Sequence, residues 1–484
     1  MSLDRLRYPT TACNNATSER QWSTSTPERK AMQQNTGRAI RGHGVLCADN
    51  AESGLRAGES PERFPKGRPL SMRVLVLGSF PPRECGIATF TKDVVDSLAA
   101  LGVPCDVVAI DEPSSDGRMY GPQVVASLKR DDPSSYESTA AFINAHPASV
   151  LLVQHEYGLF GGEDGDAFLA LLDAVRKPVV VALHTILTAP SAHHRAATQR
   201  LCAGADAIVV LSQTGKDILN WVYAVNETAI HIIPHGVPDV PFLSTAHAKL
   251  KLGLGHRKVI STFGLLSRGK GLEDAIGAMS TIVARHPDAL YLVLGQTHPL
   301  VRQKEGESYR ETLRALVTAH GLQHNVDFVS RYLSFEDLVA YLSASDIYLT
   351  PYLNADQIVS GTLAYALGCG KAIVSTPYLY AKEVLADNRG LFCNFRDPAS
   401  IAAGVTTLLD HPQRRHAMER CAYRYGHEMR WSNVAASYSH VFRDAMGGKV
   451  IEFPTRPVAF EKPLRMLAAT ANWMTGTSTN AVTP

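Results

Sequence analysis

The chain has 484 residues, of which 45% are hydrophobic and 19% are charged, and its formal net charge is +2. This composition is that of a globular protein with room for two or three domains. The balance of charges excludes the basic surface that nucleic-acid-binding proteins need, so we expect no nucleic-acid partner.

Cysteine usage and hydropathy exclude further classes. The eight cysteines are scattered, and none forms a CxxC pair or a cluster with histidine. We therefore expect reduced thiols, no disulfide framework and no metal site. No run of 18 apolar residues is present, and the N-terminus lacks the apolar stretch of a secretory signal. Together these features predict a cytoplasmic protein.

Residues 1–71 are rich in Ser, Thr, Arg, Asn and Gly, and they show no apolar period. Such a segment buries too little apolar surface to offset the entropy lost on ordering it. We expect a disordered N-terminal extension, with Met72 as a candidate start of the folded protein. A transit peptide is the alternative, which the segment's seven acidic residues disfavour.

From residue 73 onwards, short apolar runs alternate with amphipathic stretches of helix length. The first six runs are predicted strands: RVLVLGS (73–79), CDVVAI (105–110), SVLLVQ (149–154), PVVVALH (178–184), DAIVVL (206–211) and AIHIIP (229–234). Continuous apolar strands separated by helices are typical of a parallel sheet that is covered on both faces.

A Pro-rich stretch, PHGVPDVPF (234–242), interrupts this pattern, which then starts again. The second set of predicted strands is VISTFG (259–264), ALYLVLG (289–295), VDFVS (326–330), DIYLTP (346–351), AIVST (372–376) and GLFC (390–393). The predicted fold is therefore α/β, with two doubly wound Rossmann-like domains, 72–240 and 241–430, facing each other across a cleft. A last predicted helix covers 431–446, and a Pro-containing tail covers 447–484.

Ligands of such sheets bind at the carboxyl ends of the strands, where loops lead into helices. At these ends, the first domain offers Gly86 in the loop PPRECGIATF, His155 and Glu156 in QHEYGLFGG, and His184 at the end of PVVVALH. We predict that Gly86 lets a ligand approach the backbone and that His155 and Glu156 contact an acceptor. A loop ion pair is the alternative for Glu156, and a packed core side chain is the alternative for His184.

The second domain opens with FGLLSRGKGLEDAI (263–276), a glycine-bearing loop between a strand and a helix. Arg268 and Lys270 lie in this loop, and two cations there could neutralise a diphosphate, the arginine as a fork and the lysine as a point charge. The alternative is a solvated turn with ordinary surface charges.

The stretch DQIVSGTLAYALGCGKAIVST (356–376) predicts a short helix followed by a buried strand. Ser360, Gly361 and Thr362 form the helix start, whose free amide N–H groups make a cradle for an anion.

Taken together, the two doubly wound halves, the FGLLSRGKG loop, the histidine ending a strand and the SGTLAYALGCGKAIVST unit resemble the family-4 retaining glycosyltransferases of the GT-B fold. The resemblance covers about residues 73–445, and WSNVAASY is similar to the family's closing helix, which crosses back to the first domain. It implies transfer of a sugar from a nucleotide-diphosphate sugar, with retention and without a bound metal or cofactor. It also implies a glycan, lipid-linked or small-molecule acceptor, and a lipid-linked one would bring peripheral contact with a membrane.

The resemblance also implies roles for single residues. Gly264, Arg268 and Lys270 would hold the donor diphosphate, and His184 would lie beside the transferred sugar. Glu383, in AKEVLADNRGLF, matches a glutamate often found before the family's next strand and would bind the donor.

Two departures from the family pattern concern the donor site. The phosphate loop begins Gly264-Leu265-Leu266 where the family usually shows Gly-Arg-Leu. The family's pair of glutamates falls on Gln357 and Tyr365, and a tyrosine hydroxyl offers fewer acceptor sites to ribose hydroxyls than a carboxylate does. We expect altered nucleoside recognition, with Tyr365 stacking on the nucleoside or making one hydrogen bond.

Three functions therefore stay open at this point. An active glycosyltransferase is favoured, because the cations, His184 and the amide cradle are all retained. A sugar phosphorylase or sugar-nucleotide epimerase would need the same cradle. A non-catalytic protein that binds a nucleotide sugar would explain the missing pair of glutamates.

Overall fold

The structure is a computed structural model that describes residues 72–113 and 118–447. The predictions for residues 1–71 and for the tail beyond Gly447 fall outside these residues. Within them, strands and helices alternate along the chain.

The described residues form two parallel sheets. The first sheet has the order β3-β2-β1-β4-β5-β6-β7 and contains β1 (Val74–Gly78), β2 (Cys105–Asp111), β3 (Val124–Lys129), β4 (Val150–His155), β5 (Val179–Leu183), β6 (Ala207–Val210) and β7 (Ile230–Ile232). The second has the order β10-β9-β8-β11-β12-β13 and contains β8 (Lys258–Phe263), β9 (Ala289–Leu294), β10 (Val326–Val329), β11 (Ile347–Thr350), β12 (Ala372–Ser375) and β13 (Leu391–Phe392).

Helices connect the strands in both halves. In the first half they are α1 (Gly86–Ala100), α2 (Pro133–Ala145), α3 (Ala167–Ala174), α4 (Ala192–Gly204) and α5 (Gln213–Tyr223). In the second half they are α6 (Thr245–Lys251), α7 (Leu272–Arg285), α8 (Pro299–Glu305), α9 (Ser308–Ala319), α10 (Phe335–Ala344), α11 (Gly361–Gly368), α12 (Leu379–Val384), α13 (Pro398–Asp410) and α14 (Pro412–Glu428), and α15 (Trp431–Ala445) follows.

Both sheets are doubly wound, which confirms the predicted α/β class with two Rossmann-like halves. Each half begins at a central strand, β1 or β8, extends to one edge and then crosses to the other side. The order therefore switches between β1 and β4 in the first sheet and between β8 and β11 in the second. Loops diverge at the carboxyl ends of these switch points, which leaves a crevice for a ligand.

The central strands are buried because both faces of each sheet are covered. Every residue of β1, β4 and β5 is buried, as the continuous apolar runs predict. The sequence reading missed β3, whose pattern VVASLK alternates in burial at the edge of the sheet. An alternating strand lacks the continuous apolar run that predicts the other strands.

The last helix returns to the first half of the chain. Tyr438 and Phe442 of α15 are fully buried in one cluster with Val74, Val76 and residues of α1. Two chain segments therefore link the halves, and they run side by side, because Val237 N donates to Met429 O at 2.9 Å.

No helix among the described residues is long and apolar enough to cross a membrane.

Candidate functional site

The amide cradle predicted at residue 360 begins helix α11. Ser360 has an extended backbone and is its N-cap, and Ser360 Oγ accepts a hydrogen bond from Leu363 N at 3.3 Å. The helix begins in the segment that follows β11, on one side of the switch point of the second sheet. Its first amide N–H groups therefore point to the crevice, where the positive end of the helix dipole favours an anion.

The loop with the two cations leaves β8, on the other side of the same switch point. Gly264 has a φ of +133° and Gly271 a φ of +63°, and the two residues allow the tight path around the turn Arg268–Lys270. A Cβ at Gly271 would lie 2.1 Å from Pro351 O, so only glycine fits there.

The loop and the helix start meet at Gly264. A Cβ at Gly264 would lie 3.2 Å from Thr362 Cγ2 and 3.9 Å from Lys270 Nζ. Lys270 Nζ lies 3.8 Å from the centre of the Tyr352 ring, and the Tyr352 hydroxyl bonds Thr362 Oγ1 at 2.6 Å. The structure thus brings together Gly264, Lys270, Thr362 and the start of α11.

The two cations of the loop have different surroundings. Burial raises the pKa of Tyr352, but the charge and hydrogen bond of Lys270, together with the hydrogen bonds of Thr362 and Tyr348, lower the pKa overall. Lys270 therefore has a strong electrostatic effect on the buried Tyr352 side chain. Arg268 is more than half exposed, and its Nη2 lies 3.0 Å from Glu305 Oε2. We conclude that Lys270 is the inner cation and Arg268 the outer one.

On the side of the first half, His184 lies in a cluster of rings. His184 Nε2 is 2.8 Å from Gln154 Oε1, and its ring contacts Phe90 edge-on at 4.8 Å between centres. Burial, followed by the charges of His235 and His155, lowers the pKa of His184 to about 3. The imidazole is therefore neutral at physiological pH, and with Nε2–H donated to Gln154, Nδ1 carries the lone pair.

His235 is a site residue that the sequence reading missed. Its ring contacts Phe90 at 5.0 Å between centres, and a Cβ at Gly361 would lie 2.7 Å from His235 Nε2. His235 thereby joins the ring cluster around His184 to the first residue of α11. The available signal was its place directly after the predicted strand AIHIIP (229–234), but the surrounding prolines suggested only a linker.

The loop of Gly86 brings another cation to the cleft. Gly86 is exposed at the start of α1, and a Cβ there would meet no atom within 4 Å. Arg83 lies in the same loop, where its Nη2 is 3.1 Å from Glu112 while its buried Nη1 has no hydrogen-bond partner. Burial, then the charges of Lys270 and Arg83, lower the pKa of His298. His298 therefore lies between cations from the two halves.

The predicted acceptor residues are not both accessible. The His155 ring is 4% exposed, stacks on Phe160 at 5.5 Å, and has a pKa lowered to about 4 by burial. An acceptor cannot reach it, so the prediction for His155 is wrong, and the ring is part of the core. Glu156 accepts a short hydrogen bond from Thr185, and burial raises its pKa. Its predicted contact with an acceptor stays a prediction.

Gln357 and Tyr365, in place of the family's glutamates, turn away from the cradle. Gln357 Nε2 donates to Val359 O at 2.8 Å. Tyr365 is buried, and its hydroxyl donates to Asp93 Oδ2 of α1 at 2.7 Å. The predicted stacking of Tyr365 on the nucleoside is therefore wrong, because a buried ring has no free face for a base.

Glu383 differs from its predicted role in a similar way. Its carboxylate accepts hydrogen bonds from Gln213 N at 2.8 Å, Thr214 N at 2.9 Å and Thr214 Oγ1 at 2.7 Å. It therefore caps the start of α5 in the other half of the chain. The Glu383 carboxylate thus forms hydrogen bonds between the two halves, whereas the resemblance implied that it binds the donor.

Several such contacts cross the cleft. Thr89 Oγ1 and the Tyr332 hydroxyl are 2.8 Å apart, and Gln296 donates to Glu84 in a short hydrogen bond. With the bonds of Tyr365 and Glu383, they hold the crevice in a closed arrangement.

One group of side chains among the described residues has the spacing of metal ligands. Glu163, Asp164 and His193 each place a ligand atom within 4.8 Å of the others. They lie after β4 and on α4, and none belongs to the loop 264–270 or to α11.

Comparison with known proteins agrees with this arrangement. Residues 85–240 match the family model described as Glycosyltransferase Family 4, and residues 247–425 match that of Glycosyl transferases group 1. The D-inositol 3-phosphate glycosyltransferase of Corynebacterium kroppenstedtii is 24% identical over 407 residues, covering 75% of this chain and 85% of the relative.

Two further proteins are similar over most of their length. The GDP-mannose-dependent monoacylated alpha-(1-6)-phosphatidylinositol monomannoside mannosyltransferase of Corynebacterium glutamicum is 25% identical over 380 residues, covering 74% of this chain and 94% of the relative. The solved sucrose-phosphate synthase of Thermosynechococcus elongatus has a TM-score of 0.64 at 18% identity, covering 77% of this chain and 98% of that chain. This last likeness shows the fold alone.

Proposed function

Because the chain is a family-4, group 1 glycosyltransferase of the GT-B fold, which acts on a nucleotide-sugar donor, we propose that it transfers the sugar with retention to a hydroxyl of a phosphate-bearing polyol. The observation that carries the proposal is the meeting of Lys270, Gly264 and Thr362 at the start of α11. A donor diphosphate fits this place, since amide N–H groups and an ammonium face it from two sides.

The donor half stabilises the leaving group. As the bond between the anomeric carbon and the phosphate oxygen breaks, negative charge grows on the diphosphate, and Lys270 and the α11 amides stabilise that charge. The acceptor oxygen forms the new bond on the same face, and its proton passes to the departing phosphate oxygen. No resident metal is required in this scheme, because the cations of the chain supply the charge.

The first half positions the sugar and the acceptor. His184 is neutral and held by Gln154, so it can make a directed hydrogen bond to the transferred sugar without competing for the diphosphate. Arg83 brings a buried guanidinium N–H that lacks a partner to the same cleft. A guanidinium binds phosphate with two parallel bonds, which favours an acceptor that carries phosphate. The inositol phosphate named for one relative is an acceptor of this class.

The test is a transfer assay with purified full-length protein. A panel of nucleotide-diphosphate sugars is incubated with inositol phosphate or with free inositol, and release of the nucleotide diphosphate and the anomeric configuration of the product are measured. We expect release only with a donor and acceptor together, a retained configuration, no inhibition by EDTA, and a preference for the phosphorylated polyol.

Other outcomes would identify the alternatives. An inverted product would refute retention, and loss of activity with EDTA would refute metal independence. Turnover of a disaccharide with inorganic phosphate would indicate a phosphorylase. Binding of the donor without any transfer across the panel would indicate the non-catalytic function.

A substitution of Arg83 tests whether the acceptor carries a phosphate group. Arg83→Gln should raise the KM for inositol phosphate about tenfold and leave the KM for the donor unchanged, because a charged hydrogen bond is worth about 1.5–3 kcal/mol. An equal effect on inositol and inositol phosphate would exclude Arg83 as the phosphate contact.

A further inference from the structure

A second cavity, of about 450 Å³, lies in the second half of the chain at the edge of the sheet opposite to the cleft. Asp346 and Lys371 line it and directly precede β11 and β12, so the cavity faces the amino ends of these strands. The cleft is at their carboxyl ends. The remaining walls come from α6, the loop between α6 and β8, α14 and the segment that links the two halves.

Positive charge exceeds negative charge in the lining of this cavity. Lys249, Lys371 and Arg415 contribute three cations, and Asp346 and Glu419 contribute two carboxylates. Both carboxylates already have close partners. Asp346 Oδ2 accepts from Lys249 and from a backbone amide, and Glu419 Oε2 is 2.8 Å from His416 Nδ1.

Lys371 is buried, and no carboxylate oxygen in the described part of the chain lies within 4 Å of its Nζ. It is 2% exposed, and its Nζ donates to the carbonyls of Ser343 and Ser345 at 3.2 and 3.3 Å. An ammonium has three N–H groups, so one is left over. Burial lowers the pKa of Lys371, which reflects how poorly its charge is compensated.

Arg415 has two ion pairs at long distance but no hydrogen bond at its Nε. Its Nε is buried without a hydrogen-bond partner, and the nearest carboxylate oxygens are 3.5 Å from Nε, on Glu419, and 3.8 Å from Nη2, on Asp346. A guanidinium edge at such distances is open to a planar or tetrahedral oxyanion.

The rim of the cavity is apolar and faces solvent. Phe242, Leu243 and Leu250 line the cavity and are 46%, 43% and 69% exposed. Apolar side chains beside two cations whose N–H groups are incompletely paired suit a ligand with a charged head and an apolar body.

We propose that this cavity is a second ligand site that binds a small organic oxyanion, with its phosphate or carboxylate group beside Lys371 and Arg415 and its apolar part against Leu243 and Leu250. The ligand would touch Phe242 and Leu243, which belong to the segment that links the two halves. The site is therefore placed to respond to a metabolite independently of the donor and acceptor.

The experiment measures melting temperature with two probes, each at matched ionic strength against sodium chloride. Inorganic phosphate carries the charge alone, and octanoate carries a carboxylate on an apolar chain. At about ten times the dissociation constant, each probe should raise the melting temperature of the full-length protein by about 2–5 °C.

Four variants locate the effect. Arg415→Gln and Lys371→Met should each abolish the response to both probes, and Leu250→Glu, on the exposed rim, should abolish only the response to octanoate. Arg285→Gln removes a surface cation that pairs with Asp410, so it should keep both responses. Lys270→Met removes the inner cation of the donor site and should keep them as well.

Lys371→Met should also raise the melting temperature in the absence of a probe, because it removes a poorly compensated buried charge. The proposal is overturned if neither probe stabilises the wild type, or if Arg415→Gln and Lys371→Met melt cooperatively and respond like the wild type. It is also overturned if only Lys270→Met loses the response, since the probes would then occupy the donor site.

Discussion

The second half of the chain brings the cation Lys270 to the donor side of the cleft, whereas the first half brings neutral rings beside it and a cation, Arg83, only in the loop of Gly86. The Lys270 charge contributes most to lowering the pKa of the buried Tyr352, while burial lowers the pKa of His184 to about 3 and that of His235 to about 4. A reaction that expels a diphosphate needs charge only where the diphosphate leaves. Under the proposed function, one half therefore stabilises the leaving group, and the neutral rings of the other half position the sugar without competing for the donor diphosphate.

Removing the inner cation should have the largest effect. Lys270→Ala should weaken binding of nucleotide diphosphate and lower kcat/KM about 10- to 100-fold, because a charged hydrogen bond to phosphate is worth about 1.5–3 kcal/mol. Steady-state kinetics and calorimetric titration measure both quantities. The control is Arg285→Ala at the surface pair with Asp410, which should leave them unchanged. Normal kinetics in a folded Lys270→Ala protein would exclude the lysine from the site.

The contact of Tyr365 with Asp93 makes the closed arrangement sensitive to pH. Burial raises the pKa of Asp93 from 3.8 to about 6, with Asp96 adding to the rise, while Tyr365 and Lys92 oppose it. A raised carboxyl pKa means that the folded protein binds the proton more tightly than the unfolded chain does. The stability from this group is therefore complete below about pH 4 and is lost as the pH rises through about 6.

Two variants test that contact. Asp93→Asn should become more stable than the wild type as the pH rises from 4 to 7, because it carries no ionisable group. Tyr365→Phe should cost about 1–2 kcal/mol at pH 7, where it strips the ionised carboxylate of its donor, and much less at pH 4. Melting curves across this range decide, and a cost of Tyr365→Phe that does not vary with pH would contradict the assignment.

Substitutions of two histidines in the first half, His184 and His155, should have different effects. His184→Asn should lower kcat about three- to tenfold, as expected for one hydrogen bond, and leave the dissociation constant of the nucleotide diphosphate unchanged. His155→Phe serves as its matched partner, since it replaces another buried histidine at a strand end. It should keep full activity and equal or higher stability, because it removes a buried nitrogen that has no partner. Equal losses of activity in both variants would contradict the assignment of His184 to the site and of His155 to the core.

The smallest effect is expected at Glu383. Because its carboxylate caps α5, Glu383→Ala should cost about 1 kcal/mol of stability and leave donor affinity unchanged. Thermal unfolding and titration with the nucleotide diphosphate separate the two readouts, with the exposed Glu311→Ala as the control. A loss of donor affinity without a loss of stability would restore the predicted donor contact.

The fold was predictable because continuous apolar strands and amphipathic helices are local patterns. That Lys270 and Thr362 lie close together was also predictable, since each lies at the switch point of the second sheet. The pairing of Tyr365 with Asp93 was not, because these residues are far apart in sequence and meet only through the closed cleft. His155 and His184 look alike in sequence, and only the surrounding rings separate the core residue from the candidate site residue.

The return of α15 to the first half has a consequence for synthesis of the chain. Tyr438 and Phe442 complete a core that contains Met72, Val74 and Val76, so the first described strand is covered by the last described helix. While the ribosome makes the second half, the face of the first sheet that α15 covers stays unprotected. We therefore expect the nascent first half to need a chaperone until α15 emerges, and a protein truncated before Trp431 to aggregate.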